Sequence, residues 1–200
     1  MKTSMKALTL VLCAVLLVCA SVMGTLAYLQ STTEVVKNTF TVGNVQITLD
    51  EAKVDVYGVK EGDSRVIENT YKLIPGHNYL KDPTIHVAKG SEKCYLFVKV
   101  VDELVNIQDA TKVADQMKAN GWNQLDGEEN VWYYNVTVDA REATTDYVDV
   151  PVFGEFTIMG EANVAAFDGK TITVQAYAVQ ADGFDSAAAA WAAAPCTWGA

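Results

Sequence analysis

Histidine, cysteine and clustered carboxylates are the side chains of this sequence that could do chemistry, and their spacing decides which chemistry is open. His77 and His86 are its two histidines. A helical zinc site needs two ligands one turn apart with a base beside them, as in His-Glu-x-x-His. These two are separated by Pro83 and fall on a turn and an alternating strand. His86 stands on the face opposite Ile85 and Val87, where a solvated ring is expected. A zinc site assembled in space from both histidines and an acid stays open as an alternative. Asp102-Glu103, Asp126 with Glu128-Glu129, and Asp146 with Asp149 carry the charge for calcium but not the spacing of an EF-hand loop. Solvated turns are expected there. No nucleophile elbow, phosphate loop or dinucleotide fingerprint occurs. The expectation is a chain that is not an enzyme, with no catalytic residue, no cofactor and no metal.

Cysteine leaves two readings open. Cys13 and Cys19 lie in an apolar leader, and Cys94 and Cys196 remain beyond it. An oxidising compartment would permit one disulfide between the last two. Equally, Cys94 sits in an apolar strand, where a thiol packs as an inert core residue.

The elements that must position these groups follow from periodicity. Met1 to Lys6 is a short basic start, and Ala7 to Met23 is apolar and uncharged. Thr25-Leu26-Ala27 then offers the small residues a signal peptidase reads. Residues 1–27 are therefore expected to be a signal peptide, cut between Ala27 and Tyr28. Removing Lys2 and Lys6 with it takes the net charge from −10 to −12. So acidic a surface repels phosphate and excludes nucleic acid as a partner. Residues 28–38 are polar with two apolar pairs, Tyr28-Leu29 and Val35-Val36. They read as a frayed or extended N-terminal segment.

From residue 39 to 200 one domain is expected. Thr39 to Leu49 alternates, with Val45, Ile47 and Leu49 on one face. Val54, Val56 and Val59 suggest a second short strand before a turn at Gly62-Asp63-Ser64. Pro75-Gly76 is a turn pair. Leu80 to Ala88 alternates, and Tyr95 to Val101 is apolar enough for a strand buried on both faces. One helix is expected after an Asp109 N-cap, with Val113 and Met117 inward and Asn120-Gly121 as its stop. Val131 to Val138, Tyr147 to Val152, Phe153 to Met159 and Ile172 to Gln180 read as further strands, with a hairpin-type turn at Asp168-Gly169. Asp185 or Ser186 caps an alanine-rich helix, Ala187 to Ala194, anchored by Trp191. No wall-sorting motif follows it, so release is expected. The fold class is mainly β, a jelly-roll or immunoglobulin-like sandwich with one inserted helix and a short C-terminal helix.

Three stretches together carry a family resemblance. They are Gly24-Thr25-Leu26-Ala27-Tyr28, then Asn38-Thr39-Phe40-Thr41-Val42-Gly43-Asn44-Val45, and Leu73-Ile74-Pro75-Gly76 followed by a strand and the Gly90-Ser91 turn. This pattern resembles the TasA/camelysin (CalY) family of exported biofilm-matrix proteins of Gram-positive bacteria. It covers the first half of the chain. The resemblance implies secretion through a SipW-type signal peptidase and assembly into an extracellular fibre. It also implies that the N-terminal segment of one subunit pairs as a strand with the next. The donor residues would be Tyr28, Leu29, Val35, Val36 and Phe40. The implied partners are further copies of the chain and, as an open alternative, a co-exported anchor or initiator protein. Because camelysin-type members carry a metallopeptidase label, the resemblance also leaves a surface metallopeptidase open as a second reading. A third reading, a carbohydrate- or host-binding adhesin, would use Trp122, Trp132, Tyr133 and Tyr134 as a sugar platform.

Overall fold

The computed structural model describes residues 2–26, 43–109 and 111–198, with backbone alone for 2–4 and 19–26. The chain divides into two compact units, Met1–Thr41 and Val42–Ala200. In the first, one helix, α1 (Lys2–Leu26), takes in the apolar run. Its apolar residues are spread around the axis rather than gathered in a stripe, and Leu8, Leu12, Leu16 and Leu17 are all exposed. Among the described residues no helix is long and apolar enough to cross a membrane.

The second unit is mainly β, and all its strand pairings are antiparallel. In chain order the strands are β1 (Ile47–Val54), β2 (Lys60–Val66), β3 (Asn78–Leu80), β4 (Thr84–Ala88) and β5 (Cys94–Asp102). Then come β6 (Trp122–Gln124), β7 (Val131–Tyr134), β8 (Tyr147–Pro151), β9 (Glu155–Thr157) and β10 (Ile172–Gln180). They form two four-stranded sheets, ordered β2-β1-β4-β8 and β10-β5-β7-β6, and a small β3-β9 pair.

Alternation explains the burial. Ile85, Val87 and Val150 of the first sheet and Leu96, Val98, Val100 and Trp132 of the second share one buried cluster. Ile172, Val174, Ala176 and Ala178 line it from β10. The opposite face of the second sheet is also covered. There Phe97 and Val179 pack under α3 (Ala187–Ala193) with Ala187, Ala190 and Trp191. β5 is thus central and buried on both faces, as its unbroken apolar run predicts. One end of the core is closed by Tyr79 stacked on Phe156 at 4.9 Å, with Tyr71 edge-on to both. Gly58 fits against this plug because a Cβ there would lie 2.9 Å from the Tyr79 backbone.

The ends of the elements differ from the sequence reading at several places. Gly62-Asp63-Ser64 does not end a strand. It lies within β2, where the register against β1 jumps between Lys60 and Arg65, so its turn chemistry builds a bulge. Val56 and Val59 belong to the turn that joins β1 to β2, while Val54 ends β1. The strand expected from Val131 stops at Tyr134, and β6 pairs with it from the other side. Asp168-Gly169 follows a short 3-10 helix, Val164–Phe167, and joins strands of different sheets rather than a hairpin.

The inserted helix α2 (Val113–Ala119) buries Val113 and Met117 as expected, but its N-cap is Lys112, not Asp109. Gln108, only 2% exposed, supplies the missing acceptor, its Oε1 taking the Val113 N–H at 3.3 Å. The long amide reaches the helix start from the core side, which a shorter aspartate at 109 does not need to do. At the other end Asn120 is the C-cap and Gly121 follows at φ +91°, the left-handed turn that stops the helix. In α3 the two capping alternatives resolve to Ser186, whose side chain accepts from Ala189 N–H at 3.2 Å.

Candidate functional site

The expected cleavage point at Ala27 and Tyr28, and the donor residues Tyr28, Leu29, Val35, Val36 and Phe40, lie outside the described residues. The two four-stranded sheets of the β unit present four edges, and they are not alike. β2 is bulged and carries Lys60, Glu61, Asp63 and Arg65. β8 carries Asp149 and ends in Pro151. β6 is three residues long. Charges, proline, bulges and shortness all discourage a foreign strand. β10 has none of these devices. It is nine residues long, ITVQAYAVQ, without a charge, and its ladder with β5 runs along its whole length.

Beside the Ile172 end of β10 a groove of about 1220 Å³ opens between the sheets. Its apolar wall includes Leu49, Leu104, Phe156, Phe167, Ile172 and Val174. Polar groups gather on one side. Glu51 is 5% exposed at the end of the Ile47-Leu49 stripe, where alternation would place an apolar residue. The Lys81 ammonium meets its Oε2 at 2.6 Å, and Asn69 Nδ2 donates to its Oε1 at 2.9 Å. Tyr71 roofs this group, its ring centroid 5.9 Å from Lys81 Nζ. Burial, with the Glu51 carboxylate nearby, pushes the Tyr71 phenol well above its usual value.

At the other end of β10, Gln180 pairs with Cys94, and the chain leading into β1 is pinned close by. The Asn44 carbonyl accepts from Glu92 N–H at 2.9 Å, and Gln46 N–H donates to Ser91 Oγ at 3.1 Å. β1 then runs from this lead to the groove, which it lines with Leu49, Asp50 and Glu51.

The histidines do not come together. His77 Nε2 is 2.8 Å from the Tyr57 carbonyl, beside Tyr79. His86 corrects the expectation of a solvated ring. It lies on the outer face of the first sheet between carboxylates of both neighbouring strands, Asp149 Oδ1 at 2.6 Å and Asp50 Oδ1 at 2.8 Å. Arg65 binds the same Asp50 and reaches Asp82 at 3.2 Å. Burial alone would lower the His86 pKa, but its hydrogen bonds to Asp50 and Asp149 outweigh this and raise it. Burial alone would raise the Asp50 pKa, but hydrogen bonds from Arg65 and His86 hold it down. The two carboxylates bind opposite nitrogens of one ring, so they face the imidazole and not a shared centre. Among the described residues no group of three or more His, Cys, Asp or Glu is arranged to hold a metal ion.

Other candidates resolve individually. Trp122 and Trp132 are buried, and Tyr133 and Tyr134 pack into different clusters on opposite faces of their sheet, so the four do not share one platform. Cys94 and Cys196 are both free, Cys94 in the central core and Cys196 beside Trp191 on the other side of the sheet. Burial pushes the Cys94 thiol up to about 11. Glu103 is tied to Lys170 Nζ at 2.9 Å and to Thr171, and Asp102 accepts from Gln108 Nε2 at 2.7 Å.

No family model, curated protein or solved structure matches this chain. Sequence reasoning overlooked the unguarded edge of β10 and the Glu51-Lys81-Asn69 group. A signal for each was present, a long uncharged strand next to charged ones and a glutamate continuing an apolar stripe.

Proposed function

We propose that this chain is a secreted structural subunit of an extracellular biofilm-matrix fibre in a Gram-positive bacterium. Its β unit is read as a jelly-roll-type sandwich, and two sheets that feed one core support that reading. The observation that carries the function is the contrast among the four edges. Three are guarded, and β10 is uncharged over its nine residues, with Ile172, Thr173 and Val174 lining a groove that has an apolar wall. A strand without charge, bulge or proline is compatible with strand addition, and the groove offers space for alternate side chains. The occupant is the segment Tyr28 to Phe40 of a second copy. It has no charge among Tyr28, Leu29, Val35, Val36 and Phe40, the residues a groove would take.

A donor segment on one copy and a groove on the next are different surfaces, and a head-to-tail contact of this kind repeats without closing. The uncharged residues around α1 and the small residues before Ala27 suit a leader removed by a SipW-type signal peptidase. The test is negative-stain electron microscopy and size-exclusion chromatography of the chain beginning at Tyr28, with and without Tyr28 to Asn38. Filaments of uniform width from the longer chain, and a folded monomer from the shorter one, are expected. Filaments of the same kind from both would overturn the donor-strand reading.

A further inference from the structure

The groove wall holds an arrangement that assembly does not explain. One buried carboxylate, Glu51, has the Lys81 amine on one oxygen at 2.6 Å and the Asn69 side-chain amide on the other at 2.9 Å. The side chains of Glu51 and Lys81 are 6% and 12% exposed. The Asn69 carbonyl oxygen is itself held, accepting Val54 N–H at 3.0 Å, and Nδ2 also donates to the Ala52 carbonyl at 2.9 Å. The amide is therefore fixed and polarised toward a backbone donor, with an amine and a proton carrier beside it. A salt bridge alone does not need the amide. Buried ion pairs are weak contributors to stability in any case.

We propose that Lys81 and Asn69 become joined by an intramolecular isopeptide bond, with Glu51 carrying the protons. The Glu51 carboxylate takes a proton from the Lys81 ammonium, and the freed Nζ pair attacks Asn69 Cγ. Charge developing on Asn69 Oδ1 meets the Val54 N–H already bonded there. Glu51 then passes a proton from Nζ to Nδ2, the Cγ–Nδ2 bond breaks, and the nitrogen leaves as ammonia. The ammonium proton departs with it, so Glu51 ends as it began. One C–N bond forms and one breaks, with no oxidant, metal or co-reactant. Both partners are hydrogen-bonded to one carboxylate, and juxtaposition of reacting groups is what lowers the barrier to such a step. The product ties the loop after β2 to the segment after β3 at the groove wall.

The experiment is intact-mass and peptide mass spectrometry of the folded full chain, unmodified and in variants. The expected result is a loss of one ammonia from the sequence mass, mapped to a branched peptide joining residues 69 and 81. Glu51→Gln and Lys81→Arg should each restore the full mass, the second while keeping the positive charge. Asn69→Asp should still close, now with loss of water instead of ammonia. Should Glu51→Gln fail to fold, the unmodified chain and Lys81→Arg decide the matter by themselves. A folded chain at its full sequence mass overturns the proposal, and so does an ammonia loss that maps to any other asparagine.

Discussion

His86 Nδ1 stands 2.6 Å from Asp149 Oδ1, directly across the β4-β8 ladder, while its Nε2 stands 2.8 Å from Asp50 on β1. One ring thus links three adjacent strands on the outer face of the first sheet. A neutral imidazole has a single N–H, and two carboxylates at its two nitrogens call for the doubly protonated form. Arg65 and Asp82 complete the charged set around Asp50, and Tyr147 lies edge-on to the ring at 5.8 Å.

A pH dependence follows from these contacts. The His86 pKa is raised on folding, so its contribution is complete below the ordinary value of about 6.5 and is lost as pH rises through the folded one. The Asp50 pKa is lowered, so its contribution is present above about 3.9 and is lost as pH falls through the folded value. Thermal unfolding should be most resistant between these limits. His86→Gln should flatten the alkaline limb and weaken the acid one, leaving Arg65 to hold the Asp50 pKa down. An unchanged alkaline limb in that variant would remove His86 from the account.

The edge of β10 gives a second prediction. Thr173 is exposed near the groove end of the strand. Thr173→Lys places a charge there, as natural edge strands do. The variant should keep its circular dichroism spectrum and melting temperature to within about 0.5 kcal/mol of stability and lose filament formation in electron micrographs. Filaments of normal length would show that assembly uses another edge.

Trp191 anchors α3. It packs on Phe97 at 5.2 Å between centroids, and its Nε1 donates to Glu128 at 3.0 Å. Trp191→Ala should destabilise the domain by about 3–5 kcal/mol in denaturant unfolding, as for other large aromatic deletions. Ser186→Ala removes only the N-cap and should cost about 1 kcal/mol. Similar losses for both would mean that the helix is held by its cap and not by the tryptophan.

The thiols should separate by reactivity. Cys94 is fully buried, with its pKa pushed up to about 11, and Cys196 is half-buried in the tail. Alkylation of native protein followed by peptide mapping should label Cys196 and leave Cys94 until denaturant is added. Native labelling of Cys94 at a comparable rate would contradict the packing of β5.

Local pattern carried much of the architecture. Ile172 to Gln180 was legible as a strand to the residue, because Ile172, Val174, Ala176 and Ala178 recur at every second position. The same holds for Ile85 and Val87 in β4, for the Val113-Met117 face of α2 and for Ser186 and Trp191 in α3. β2 was illegible because an edge strand with a bulge has no buried face to impose a period. Within its seven residues, KEGDSRV, Gly62-Asp63-Ser64 reads as a turn. The Asp109 cap failed for a related reason: Gln108, adjacent in sequence, is held in place by Asp102 of β5 and so supplies the acceptor.

By itself the sequence determined which apolar positions of most strands face inward, and that an acidic β-rich domain follows an apolar N-terminal run. These depend on periodicity and backbone preference, which act over a few residues. Tertiary structure decided which strands are edges, that β10 alone among the four is unguarded, and that Glu51 from β1, Asn69 from a loop and Lys81 from beyond β3 share one carboxylate. It also placed His86 between Asp50 and Asp149. Those groupings are set by strand order and register, which join residues tens of positions apart, and no local pattern encodes them.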